Sequence, residues 1–153
     1  ITLRTCGKAL GCEGALITGP AFVRDFLINR GRGFIFTTAP SPLMASAVRA
    51  ALRVLADEPE RREALSALVG HARTMLQPLG ARCHGSQVIP IVIGDDARTM
   101  TVAAAIQQAG FDVRGIRPPT VPAGTARLRV AITLNANMAD VTSLASAIES
   151  ALA

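Results

Sequence analysis

The apolar residues of this chain switch repeatedly between helical and strand spacing, with Gly or Pro near each switch, and this alternation restricts the possible folds more than any other feature. Leu65, Leu68, Val69, Ala72, Met75 and Leu76 fall on one helical face, and Pro78 to Gly80 turn the chain after them. Residues 88–93 form an apolar run with Pro90 inside, which places the strand at a sheet edge or beside a bulge. Residues 99–109 read as a helix ended by Gly110. Residues 113–116 and 127–134 read as strands flanking the Pro/Gly-rich loop 117–124, and a last helix runs over about 138–152. From about residue 75 the order is therefore helix, strand, helix, strand, strand, helix. That order predicts a small α+β unit with helices on one face of a short sheet.

The first half reads differently. Residues 1–5 are a β-prone run stopped at Gly7, with further glycines at 11 and 14, and residues 15–17 form a second short strand. Gly19-Pro20 precedes a helix carrying Phe22, Val23, Phe26 and Leu27, ended by Gly31 and Gly33. Residues 34–38 (Phe-Ile-Phe-Thr-Thr) are a strand candidate closed by Pro40 and Pro42. Ser41-Pro42 opens a long helix with Leu43, Ala47, Val48, Ala51, Leu52 and Leu55 on its stripe, and Pro59 interrupts it or starts another. The expected division is residues 1–45 as the end of a larger α/β unit, 46–74 as connecting helices and 75–153 as the small α+β domain. A chain that opens inside a strand–loop unit is expected to continue upstream.

Composition narrows the function classes. Half of the 153 residues are hydrophobic and 18% are charged, which suits a folded core. No run of about 18 apolar residues is present and no secretory signal stands near Ile1, so a soluble, cytoplasmic protein is expected. Cys6, Cys12 and Cys83 are an odd number without a C-x-x-C pair, which speaks against a disulfide framework and a zinc site. The net charge of +5 comes from scattered arginines, and with no Trp, no Tyr and five Phe there is little to stack on bases. Nucleic acid is not an expected partner.

Lys8 follows Gly7 and precedes Ala9-Leu10-Gly11, a loop open to close approach by a flat ligand. By itself such a lysine reads as a surface charge. A phosphate-binding loop is excluded by spacing, because Thr2 stands where its first glycine belongs and Ala9 where Ser or Thr belongs. Three blocks carry more. Thr5-Cys6-Gly7-Lys8-Ala9-Leu10-Gly11 is similar to the cofactor-lysine segment of the α-oxoamine synthases. Gly31-Arg32-Gly33-Phe34-Ile35-Phe36-Thr37-Thr38-Ala39-Pro40-Ser41-Pro42 resembles the stretch that follows it in that family. Arg117-Pro118-Pro119-Thr120-Val121-Pro122-Ala123-Gly124-Thr125-Ala126-Arg127-Leu128-Arg129 is most similar to the aminooxononanoate synthase branch. The blocks come in family order and spacing and span the whole chain.

The resemblance implies the C-terminal part of a fold-type I pyridoxal 5'-phosphate-dependent transferase: the end of the large α/β domain and the small C-terminal domain. It makes Lys8 the residue that binds the cofactor as a Schiff base and then serves as base at the substrate α-carbon. It makes Thr5 a ligand of the cofactor phosphate on the same chain, and Thr38 a ligand of the phosphate in the neighbouring subunit, so that a homodimer shares its sites. Arg129 matches the arginine that binds the substrate carboxylate. Arg127 shares a strand face with Arg129 and Arg117 lies across the proline loop, so one of the three can be a ligand while the others are structural. His71 and His84 lie outside the blocks and are read as structural. The aspartate for the cofactor's ring nitrogen and the residue stacking on the ring match nothing here and are expected upstream, so activity is expected to need the N-terminal portion. The branch implies a decarboxylative condensation of L-alanine with a pimeloyl thioester of CoA or acyl carrier protein. Glycine acetyltransferase, 5-aminolevulinate synthase and serine palmitoyltransferase are the alternatives within the family, and a non-catalytic subunit of that fold is the alternative outside its chemistry.

Overall fold

In the computed structural model, which describes residues 1–153, the chain divides into two units, Ile1–Pro59 and Glu60–Ala153. The first opens with strands β1 (Thr2–Thr5) and β2 (Ala15–Thr18), paired antiparallel from Thr2↔Thr18 to Thr5↔Ala15. Helices α1 (Ala21–Arg30), α2 (Arg32–Ile35) and α3 (Pro42–Asp57) follow. The Ser41 hydroxyl accepts from the Leu43 amide at 3.3 Å and Pro42 occupies the first turn, where its missing donor costs nothing.

Residues 34–38 are not the strand their composition predicts. Phe34 and Ile35 belong to α2, and the Ile35 and Phe36 amides donate to the carbonyls of Gly31 and Arg32 at 2.9 and 3.1 Å. Thr37 Oγ1 then donates to the Gly33 carbonyl at 2.7 Å. The sheet of the first unit consists of β1 and β2 alone, and the β-prone run satisfies its backbone within its own helical turn. Gly33 accordingly lies inside a helical turn and does not end one; α1 stops at Gly31 alone.

The second unit begins with α4 (Glu60–Leu76) and a 3-10 turn (Gln77–Leu79), then β3 (Val88–Gly94), α5 (Asp96–Gln108), β4 (Arg114–Ile116), β5 (Ala126–Ala131) and α6 (Met138–Leu152). The sheet order is β3-β5-β4, antiparallel throughout. One core joins Leu68, Ala72 and Leu76 of α4, Val102 and Ile106 of α5 and Leu144 and Ile148 of α6 to Ile89, Ile91, Leu128 and Val130 of the sheet. The three helices thus cover a single face, as the periodicity predicts. Residues 60–76 belong to this core, so the small unit begins at Glu60.

Pro90 sits in edge strand β3 opposite Arg129, and its carbonyl accepts from the Arg82 amide at 2.9 Å, on the side away from β5. A strand residue's N–H and C=O point the same way, so the donor that proline lacks would have faced the edge. A register shift at Val92/Gly94 adds the bulge. Gly115 lets β4 lie close to α5: a Cβ there would meet Met100 Sδ at 2.9 Å. Strand β5 ends at Ala131, short of the expected residue 134, because after Ile132 bonds to Gln87 the chain turns at Thr133–Ala136. No helix is long and apolar enough to cross a membrane.

Candidate active site

Lys8 stands in the loop of the β1–β2 hairpin. The Cys6 amide donates to the Gly14 carbonyl at 2.8 Å and the Cys12 amide to the Cys6 carbonyl at 2.9 Å, which pinches the loop at its base. The Gly11 amide donates to the Lys8 carbonyl at 3.0 Å, and Gly11 takes a φ of 60°, open to glycine at little cost. The Cys6 side chain is buried while Lys8 is exposed, so the turn anchors on the cysteine and presents the lysine outward. The Glu13 amide contacts Met44 Sδ at 3.2 Å, tying the loop to the start of α3. Lys8 is the single lysine of the chain, the other fifteen of its sixteen basic side chains being arginines. Its ammonium has no carboxylate partner. Thr5 is the last residue of β1, three positions earlier and also exposed.

Of the two threonines that follow α2, Thr37 spends its hydroxyl on the Gly33 carbonyl, whereas the Thr38 hydroxyl is exposed and unpaired. Thr5, Lys8 and Thr38 thus belong to the first unit. Arg129 belongs to the second, on the sheet face that the helices leave uncovered.

On that face β5 carries Arg127 and Arg129, alternating with the buried Ala126, Leu128 and Val130. Arg129 lies opposite Pro90 on one side and Arg114 on the other. Two like charges directly across a ladder repel, but Arg114 Nε is 2.7 Å from Asp112 Oδ1, which offsets its charge. The Arg129 guanidinium is exposed and unengaged. Arg127, half-buried between Val92 and Ile116, donates from Nε to the Thr125 carbonyl at 2.9 Å and from Nη2 to Thr125 Oγ1 at 3.0 Å. Arg117 is exposed at the far end of the proline loop. The sequence points to Arg129 as the carboxylate ligand and carries no signal for the part Thr125 plays beside Arg127.

His71 Nε2 lies 3.0 Å from Thr142 Oγ1 and joins α4 to α6; His84 is exposed before β3. All three cysteines are free, and no cluster of His, Cys, Asp or Glu could hold a metal. An apolar groove of about 440 Å³ runs along α1, lined by Val23, Leu27 and Phe34 among others, and includes none of the candidate residues. The donors at the hairpin suit a ligand bearing an aldehyde and a phosphate: one unpaired primary amine at Lys8 and the exposed Thr5 hydroxyl three residues before it, with Glu13 the one carboxylate of the loop.

The profile of the aminotransferase class I and II family matches residues 1–148. The chain is 42% identical over 155 residues to 8-amino-7-oxononanoate synthase of Anaeromyxobacter dehalogenans, which covers 99% of the chain and 39% of that protein. Its fold is similar to serine palmitoyltransferase of Sphingomonas wittichii, with a TM-score of 0.87, 22% identity and coverage of 97% and 38% of the two chains. It is also similar to 8-amino-7-oxononanoate synthase of Francisella tularensis, with a TM-score of 0.83, 20% identity and coverage of 98% and 44%. The chain therefore spans about two fifths of the length of the relatives it matches.

Proposed function

The chain belongs to the aminotransferase class I and II family, within its α-oxoamine synthases, and from that premise we propose that the whole protein carrying it joins L-alanine to a pimeloyl thioester. The products are 8-amino-7-oxononanoate, carbon dioxide and the free thiol of CoA or acyl carrier protein. The observation that carries the reading is Lys8: the chain's one lysine, unpaired, at the turn of a glycine-flanked hairpin.

The cofactor of the family is pyridoxal phosphate, whose aldehyde condenses with amines and whose ring then withdraws electrons from the α-carbon of a bound amino acid. Lys8 is the amine that holds it. The Lys8 amine, when not holding the cofactor, would receive the proton from the substrate α-carbon, general-base work of the kind worth about 10²–10⁴ in rate. The Thr5 hydroxyl donates to the phosphate on the same chain, and Thr38 to the phosphate of a second copy, so the working form is a homodimer. Arg129 holds the alanine carboxylate through paired N–H donors, fixing which α-carbon bond faces the base.

The remaining three fifths of the protein supplies the ring contacts and covers the apolar side chains that the first unit leaves in solvent, such as Phe22, Phe26 and Phe36. Residues 1–153 alone are then inactive. The test supplies the whole protein with L-alanine and pimeloyl-CoA or the carrier-protein thioester and measures thiol, carbon dioxide and ketone product. Equal release of all three supports the reading. Turnover confined to glycine with a short acyl-CoA would move the protein to another branch, and no turnover with any pair would sink the assignment.

A further inference from the structure

Arg114, Arg127 and Arg129, on the paired strands β4 and β5, differ in how their donors are committed. Arg129 has none engaged, and Arg114 is paired to Asp112. Arg127 commits two of its five donors to one residue, Thr125, gripping both its carbonyl and its hydroxyl at 2.9 and 3.0 Å. Thr125 in turn donates twice to the Pro122 carbonyl, from Oγ1 at 2.6 Å and from its amide at 3.2 Å. A continuous chain of bonds thus runs from the guanidinium of Arg127 through Thr125 to Pro122, closing the turn that contains Gly124 at a φ of 73°. Arg127 is paired with Val92 of β3 on one side and Ile116 of β4 on the other, so the clamp springs from the central strand of the sheet.

We propose that Arg127 and Thr125 are positioning residues that fix the proline loop to the mouth of β5, so that Arg129, two residues on along the same face, is presented in a single orientation to the substrate carboxylate. The clamp deepens the reading of Arg129 given above and rests on it. The Nε/Nη2 edge of Arg127 is thereby taken by Thr125, whereas every donor of Arg129 is free for a carboxylate. A lysine in its place carries the charge but not the two fixed donors, whereas a serine at position 125 keeps both the carbonyl and the hydroxyl.

The experiment uses the whole holoenzyme with Thr125→Val, Thr125→Ser and Arg127→Lys. Three readouts are taken: L-alanine binding without acyl donor, followed by the change in the cofactor's visible spectrum; the division of any activity loss between KM and kcat; and hydrogen exchange at the amides of Ala123, Gly124 and Thr125. The clamp requires Thr125→Val and Arg127→Lys each to weaken alanine binding and raise its KM about five- to tenfold, as loss of one or two hydrogen bonds does. It also requires kcat within about twofold of the parent, faster exchange in the loop, and near-parental values for Thr125→Ser. Unchanged exchange in Thr125→Val and Arg127→Lys overturns the clamp whatever happens to alanine binding. Faster exchange with parental alanine binding overturns the positioning role. If the parent itself binds no amino acid, faster loop exchange upholds the clamp while the reading of Arg129 falls, so the two failures are distinguishable.

Discussion

At Lys8 the chain places its one primary side-chain amine outside a turn whose base is pinned by Cys6, Cys12 and Gly14. An arginine there would keep the charge but could not condense with an aldehyde, so charge and chemistry can be separated. Lys8→Arg in the whole protein is expected to lose about 10²–10⁴ in kcat, no less than Lys8→Ala, as measured by thiol release. Arg129→Lys replaces a planar fork by a point charge, and the KM for alanine is expected to rise about tenfold or more, since bonds to a charged group contribute about 1.5–3 kcal/mol each. The reading of Lys8 rests on a seven-residue block; taken by itself, the exposed side chain of the structure is the surface charge that a lone lysine suggests. The Arg127–Thr125 clamp was not legible. It depends on the backbone closing at Gly124 so that a carbonyl and a hydroxyl face one guanidinium, and spacing alone carries no such information.

Among the elements, α6 has the clearest local specification. Asn137 accepts from the Ala139 and Asp140 amides at 2.8 and 3.1 Å, and Asp140 Oδ2 accepts from the Asn137 amide at 2.8 Å, a reciprocal cap. Asn137→Ala is expected to destabilise the second unit by about 1 kcal/mol, read as a lower urea midpoint at unchanged slope. The expected span of this helix, 138–152, matches the structure because cap and apolar stripe agree. Strand β3 was legible for a related reason, since Pro90 is tolerated only where its missing donor faces an edge. Residues 34–38 misled because strand propensity describes fitness for a pleated surface, whereas Phe34 and Ile35 here close a helical turn that starts at Gly31.

The two units differ most in what they bury. The second gathers seventeen buried apolar residues into one cluster, whereas Cys6 and Val48 are the buried hydrophobics of the first. Residues 60–153 expressed alone are therefore expected to unfold in one cooperative transition by circular dichroism, and limited proteolysis of residues 1–153 should cut first before Glu60. A broad, non-cooperative melt of residues 60–153 would contradict the description of that core. The architecture of the second unit was legible from periodicity, but its start was not, because the residues of α4 look the same whether that helix connects two domains or builds one.

The most direct test of the account is borohydride reduction of the whole holoenzyme followed by peptide mapping. The expected result is a pyridoxyl adduct on the peptide that contains Lys8, absent in Lys8→Ala and Lys8→Arg. An unmodified Lys8 peptide, with the adduct on another lysine of the protein or on none, would contradict it.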